Sequence, residues 1–304
     1  MAQPQLSSGP PYASPYAAVG GRPTAIPDLP LLVVFLVLYI AGAASNMTIF
    51  QLNRRRGHKF IISLPMFGFC MARITTCVLR VVQTYRPTNI RLAIAAAIFL
   101  NAGVLIAYVV VLLLCIRILR ALQPQLGWSN PLRLFIKLQY IILALALLLV
   151  IAFTVVNLYT LDAHLKTAAL WIQRAAILYM LLFNLLSTAV LLLCVMLPRH
   201  TAPENFGQGS IAKKLAIAST ANLVCVLIAA FRCGTVWVHP RPLNQPGWWH
   251  SKAALYAIEF GLEIVVIYLL IIMRFDLVFW VPNGSNGPGD YSRTEKTEGA
   301  HIDA

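Results

Sequence analysis

Seven stretches of this chain, at 31–52, 60–82, 92–116, 134–158, 168–197, 215–238 and 253–273, run for more than twenty residues with few or no charges. A helix rises about 1.5 Å per residue, so roughly 20 apolar residues cross the ~30 Å hydrocarbon core of a bilayer. Backbone N–H and C=O groups meet no water there, and a helix satisfies them internally. The pattern predicts an all-α fold, a seven-transmembrane helix bundle. Composition agrees, with 59% hydrophobic and 11% charged residues among 304, where soluble domains carry about 25% charged. The net charge of +14 would suggest nucleic acid in a soluble chain, but most basic residues lie between the apolar runs. No nucleic-acid partner is expected, and the lipid bilayer is the first partner implied.

Orientation follows from the loops. Fourteen Lys and Arg lie in the first, third and fifth loops and the C-terminal tail, against six in the N-terminal tail and the even loops. The bias predicts an N-terminus outside and a C-terminus in the cytoplasm. Trp128, Trp237, Trp248, Trp249 and Trp280 fall at or beyond the ends of runs, and Trp171 one turn inside, as an interfacial belt requires. Residues 1–28 are expected to form a disordered extracellular tail without a cleaved signal, 29–276 the membrane domain, and 277–304 a disordered cytoplasmic tail. The triplet beginning at Asn283 should then carry no glycan, and that at Asn46 should be buried in the first span.

Charges within the runs are the main functional signal. Arg73 and Arg80 fall in the second run, Arg174 in the fifth, Arg232 in the sixth, and Glu259 and Glu263 in the seventh. Facing lipid, each would cost at least about 2.5 to 3.5 kcal/mol near the midplane. Positions separated by 3, 4 or 7 share a helix face, so Lys252, Tyr256, Glu259 and Glu263 form one polar stripe, and Arg73, Thr76, Arg80 and Thr84 another. Arg73 and Glu263 lie at matching depths of roughly 14 Å from the outer end, Glu259, Arg232 and Arg174 near 9 Å. The expected pairs are Arg73 with Glu263 and Arg232 with Glu259. One reading makes these structural ion pairs. A second counts four cations against two anions, leaving Arg80 and Arg174 in surplus, so that an outward-facing cavity lined by Arg73, Arg80, Arg174, Arg232, Tyr256, Glu259 and Glu263 would suit an anionic small molecule or lipid. A third makes a glutamate a proton-coupling site.

Other features point to packing. Cys70, Cys77, Cys115, Cys194, Cys225 and Cys233 all lie in runs, where free buried thiols are expected. Asn46, Asn101, Asn157, Asn184 and Asn222 are expected to bond between helices, and Pro65 to kink the second. Small residues at 41–45, Gly68 with Ala72, Ala93 with Ala97, Gly103 with Ala107, and Ala212 with Ala216 and Thr220 offer close-approach faces. All six histidines lie outside the runs, without metal-ligand spacing. With no nucleophile motif or phosphate loop either, no enzyme, cofactor or metal site is expected. The third run ends CIRIL where rhodopsin-like receptors carry Asp-Arg-Tyr, and no lysine lies inside the seventh to hold retinal.

The stretches ASNMTIFQLNRRRGHKF at 44–60, FGFCMARITTCVLR at 67–80, RLAIAAAIFLNAGVLI at 91–106, RILRALQPQLGW at 117–128 and RFDLVFWVPNGSNGPGDYS at 274–292 carry a resemblance. They are similar to a filamentous-fungal family of seven-span proteins of unknown function, some members labelled family C-like G-protein-coupled receptors. The resemblance implies fungal origin and a multi-pass membrane location, and supplies no ligand or functional residues. The expected function is receptor-like, with basic loops at Arg54, Arg55, Arg56 and Lys59 available to a cytoplasmic signalling protein; the alternative is a transporter or lipid translocator.

Overall fold

Each apolar run folds as one long helix, and most helices begin where a polar side chain holds an amide that the helix itself leaves free. The computed structural model describes residues 9–12, 14–198 and 204–292. Its seven helices long and apolar enough to cross a membrane are α1 (Asp28–Arg55), α2 (Ser63–Tyr85), α3 (Ile90–Leu122), α4 (Asn130–Tyr159), α5 (Ala163–Met196), α6 (Ile211–Trp237) and α7 (Lys252–Ile272). This is the architecture of a multi-pass membrane protein. Asn89, Asp162, Ser210 and Ser251 accept from Leu92, His164, Lys213 and Ala254 N–H and cap α3, α5, α6 and α7. Among the described residues the β pairing is an isolated bridge between Tyr16 and Pro242.

α3 is the hub, touching α2, α4, α5 and α6, while α7 closes the bundle between α1 and α6. Its most apolar stretch is 72% buried, against 17% for α4, which lies at the periphery. α3 also runs past its apolar stretch, because Arg117 donates to Phe279 O at 2.5 Å and Arg120 stacks 4.4 Å over Trp128. Gly42 lies where a Cβ would meet Ile267 at 3.2 Å, and Gly103 packs against Ala72, whereas Gly68 faces open space and makes no close approach.

Several expectations need correction. Pro65 stands in the first turn of α2, where no intrahelical bond is lost, so it has no kink to make. Asn46 and Asn184 donate to Gly42 O and Met180 O of their own helices; Asn222 does bond across, to Thr188 at 2.8 Å. The described parts of both tails make contacts that composition does not reveal. Tyr12, Ala17 and Gly20 N–H donate to Leu158, Arg241 and His250 carbonyls. At the other end Glu204 accepts from Gly289 and Tyr291 N–H at 2.7 and 2.9 Å, and Asn283 clamps the α1–α2 loop through Lys59 N–H and Gly57 O. Residues 1–8, 13 and 293–304 of those tails lie outside the described residues.

Candidate functional site

Five helices converge on a buried charge cluster in the half of the bundle nearer the N-terminal segment. Arg73 on α2 is completely buried and donates through Nε and Nη2 to Oε2 and Oε1 of Glu263 on α7, a side-on fork on a carboxylate. Its Nη1 donates to Leu100 O at 2.9 Å, and the Phe69 and Phe260 rings flank it. Gly103 on α3 packs close to the guanidinium: a Cβ there would stand in van der Waals contact with it, 3.5 Å from Arg73 Cζ. Tyr39 on α1 completes the shell of Glu263, its hydroxyl donating to Oε2 at 3.4 Å.

Arg232 on α6 is the second cation. Its Nη2 lies 3.5 Å from Glu259 and 3.8 Å from Glu263, and it also donates to Leu100 O at 3.2 Å while Nη1 reaches Asn101 Oδ1 at 3.3 Å. Leu100 O thus serves both guanidiniums. Glu259 sits in a π-helical stretch, Leu255–Gly261, inside α7. Such an extra-wide turn shifts the side-chain register and is found often at functional sites.

The remaining expected residues divide. Arg80 is buried beside the cluster, reaching the Tyr256 hydroxyl, while its Nε and Nη2 meet no acceptor among the described residues. Thr76 and Thr84 donate back to Ala72 O and Arg80 O of their own helix. Tyr256 donates to Asp28 Oδ1 at 2.7 Å, and the same fully buried Asp28 pairs with Lys252 and accepts from Thr24 N–H at 2.6 Å. Sequence reasoning missed Asp28, although an acid in the first turn of a helix is a visible signal. Arg174 does not join the cluster: it donates to Val236 O at 3.2 Å and stacks between Trp171 and Trp237, 5.2 and 5.8 Å from their centroids. Aromatic faces and a helix-end carbonyl compensate its charge, which removes it from the surplus.

A cavity of about 260 Å³ opens beside these charges, with Arg80, Gln83, Asn101, Tyr108, Arg232 and Glu259 in its wall. Arg73, Glu263 and Tyr256 stand behind that wall and do not line it. Apart from Thr235 the rest of the lining is apolar, from α3, α4, α5 and α6, and Ala18, Val19 and Gly21 of the N-terminal segment complete it. Gly20 fixes this segment, for its φ is +74° and a Cβ would come within 2.4 Å of Leu255. The segment also leans on the loop before α7. There, burial and then the Arg241 charge hold the His250 imidazole below its usual pKa, and its Nδ1 accepts from Gly247 N–H at 3.1 Å.

One comparison is positive. A family model described as "Protein of unknown function (DUF3112)" matches residues 208–280. That stretch holds α6 and α7, hence Arg232, Glu259 and Glu263. No curated protein and no solved structure matches the chain. Among the described residues no three His, Cys, Asp or Glu side chains gather to hold a metal ion, and the six cysteines are free and buried.

Proposed function

We propose that this chain is a receptor-like, non-enzymatic seven-span membrane protein of fungal type, with its N-terminus outside, that binds an anionic ligand in the cavity beneath its N-terminal segment. The observation that carries the reading is the charge balance at the cavity. Arg73, Arg80 and Arg232 oppose Glu259 and Glu263, one positive charge in excess, while Lys252 and Asp28 cancel. A buried charge without a partner is costly and marks a functional position in a helix bundle. The excess of basic loops at the far end supports the orientation. Many of those basic residues have internal duties, such as Arg117 on Phe279 O and Lys214 on Phe206 O, but Arg54, Arg55, Arg56 and Lys59 are exposed and offer a face to a cytoplasmic signalling protein or anionic lipid.

A second reading, as a proton-coupled transporter or lipid translocator, draws on Glu259, whose Oε2 lacks a hydrogen bond and whose helix is locally π-wound. Flux measured in proteoliposomes, beside co-purification of G-protein subunits from membranes, separates the two. Subunit association without flux is the expected result. Flux abolished by Glu263→Gln in a protein that still folds overturns the receptor reading in favour of transport.

A further inference from the structure

We infer that the cavity beneath the N-terminal segment is a site for a small amphipathic monocarboxylate, gripped side-on by Arg80; this rests on the reading of the cavity as an anion site and names its ligand class. The arrangement occurs twice on α2. Arg73 offers Nε and Nη2 to the two oxygens of Glu263. Arg80 follows seven residues later on the same face, about 10 Å nearer the C-terminal end of α2, and is 7% exposed. Its Nε and Nη2, the same fork, are buried without an acceptor among the described residues, and the side chain forms part of the cavity wall. A guanidinium keeps its proton inside a protein, so it cannot escape the burden of burial by neutralising. The planar fork matches a carboxylate in two parallel hydrogen bonds. A ligand carboxylate would be to Arg80 what Glu263 is to Arg73.

Charge and size narrow the class. The surplus around the cavity is one positive charge, which a monoanion cancels and a dianion overshoots, leaving negative charge beside Glu259. Ala93, Ala96, Ala97, Val104, Ile177 and Met180 give the remaining wall an apolar surface for a hydrocarbon body. A volume of about 260 Å³ lies below the 300–1,000 Å³ or so typical of drug-sized sites, too small for a two-chain lipid and suited to a carboxylate of six to eight carbons or so. Ala18, Val19 and Gly21 bring the N-terminal segment into the same wall.

The test titrates the purified full chain in detergent with hexanoate and octanoate by calorimetry, beside hexanol, hexylammonium, hexyl phosphate and hexanesulfonate. Saturable carboxylate binding is expected, with the alcohol and the ammonium weaker by about tenfold or more, since each charge-assisted hydrogen bond contributes that much. Arg80→Gln should lose about the same factor while the ligand-free melting temperature holds or rises, because an unpartnered buried charge is removed; Arg80→Lys should fall between. Ala97→Phe, which fills the apolar wall without touching the charges, should abolish binding and serves should Arg80→Gln not fold. Unchanged hexanoate affinity in Arg80→Gln or Ala97→Phe overturns the inference, as does equal binding of hexanol. Arg80-dependent preference for the phosphate or sulfonate overturns the carboxylate assignment and leaves the anion-site reading standing, whereas no binding by any anion removes both.

Discussion

Removing Glu263 should damage this protein more than removing Arg73, although the two form one ion pair. In Glu263→Leu, Arg73 stays completely buried and loses the acceptors of its Nε and Nη2 donors. What remains is Leu100 O and Phe99 O on Nη1 and two flanking rings. Charge-assisted hydrogen bonds contribute about 1.5 to 3 kcal/mol each, so two bonds give about 3 to 6 kcal/mol, in line with the roughly 3 to 5 kcal/mol lost when one partner of a buried pair is deleted. Arg73 has no neutral form to fall back on. In Arg73→Met, by contrast, Glu263 keeps the Tyr39 hydroxyl at 3.4 Å and Arg232 at 3.8 Å, and it is free to take up a proton. Its loss should be about half as large, roughly 1.5 to 3 kcal/mol. Glu263→Gln should fall between, because its amide oxygen still accepts one of the two bonds.

The double variant Arg73→Met/Glu263→Leu should recover much of the single loss, since apolar replacement of a whole buried pair is often neutral. The assay is chemical or thermal unfolding of the purified protein in one detergent, run as a four-member cycle. A loss of 3 to 5 kcal/mol would shift the unfolding equilibrium by roughly 150- to 5,000-fold, at about 1.36 kcal/mol per tenfold. Losses below about 1 kcal/mol for Glu263→Leu, the typical figure for exposed pairs, would refute burial of the pair. So would an order of severity with Arg73→Met the worse, or a double variant no better than Glu263→Leu.

The remaining predictions concern the surroundings. Gly103→Val should push the Arg73 guanidinium off α3 and destabilise by about 1 to 3 kcal/mol, as overpacking does, with the Arg73→Met background largely relieving the effect in the same unfolding assay. Gly20→Ala should strain a backbone at φ +74° and crowd Leu255, which faster proteolysis within residues 14–27 of the intact protein would report. Acid should act through Asp276: burial alone would raise its carboxyl, but hydrogen bonds from Arg274 and Asn53 outweigh it and hold the pKa below the ordinary 3.8. The folded state therefore binds the proton less readily than the unfolded one, so this contribution is present above pH 3.8 and is lost as pH falls through the folded value; Asp276→Asn should flatten that part of a stability-versus-pH curve.

How much of this was legible in the sequence depends on the range over which each interaction is encoded. Helix period and rise are local rules, so they place Arg73 and Arg80 on one face of α2, Glu259 and Glu263 on one face of α7, and Arg73 level with Glu263. The structure forms that pair and sets Arg232 within 3.8 Å of both glutamates. Arg174 obeyed the same depth rule and still went elsewhere, because depth says nothing of azimuth and Trp171 and Trp237 stood ready to stack on it. The backbone carbonyl of Leu100, which accepts from both central arginines, has no sequence signature, since every residue carries one. Nor has the π-helical stretch at Leu255–Gly261. The seating of the N-terminal segment was hidden for a related reason: its anchors are Gly20 N–H on His250 O and Ala17 N–H on Arg241 O, backbone bonds made over more than two hundred residues. A stretch rich in Pro and Gly reads as disorder only if its partners are assumed to be local. Here the same lack of side chains that empties it of helical signal is what lets residue 20 lie against Leu255, so the composition that suggested a loose tail is also the requirement for a closely fitted one.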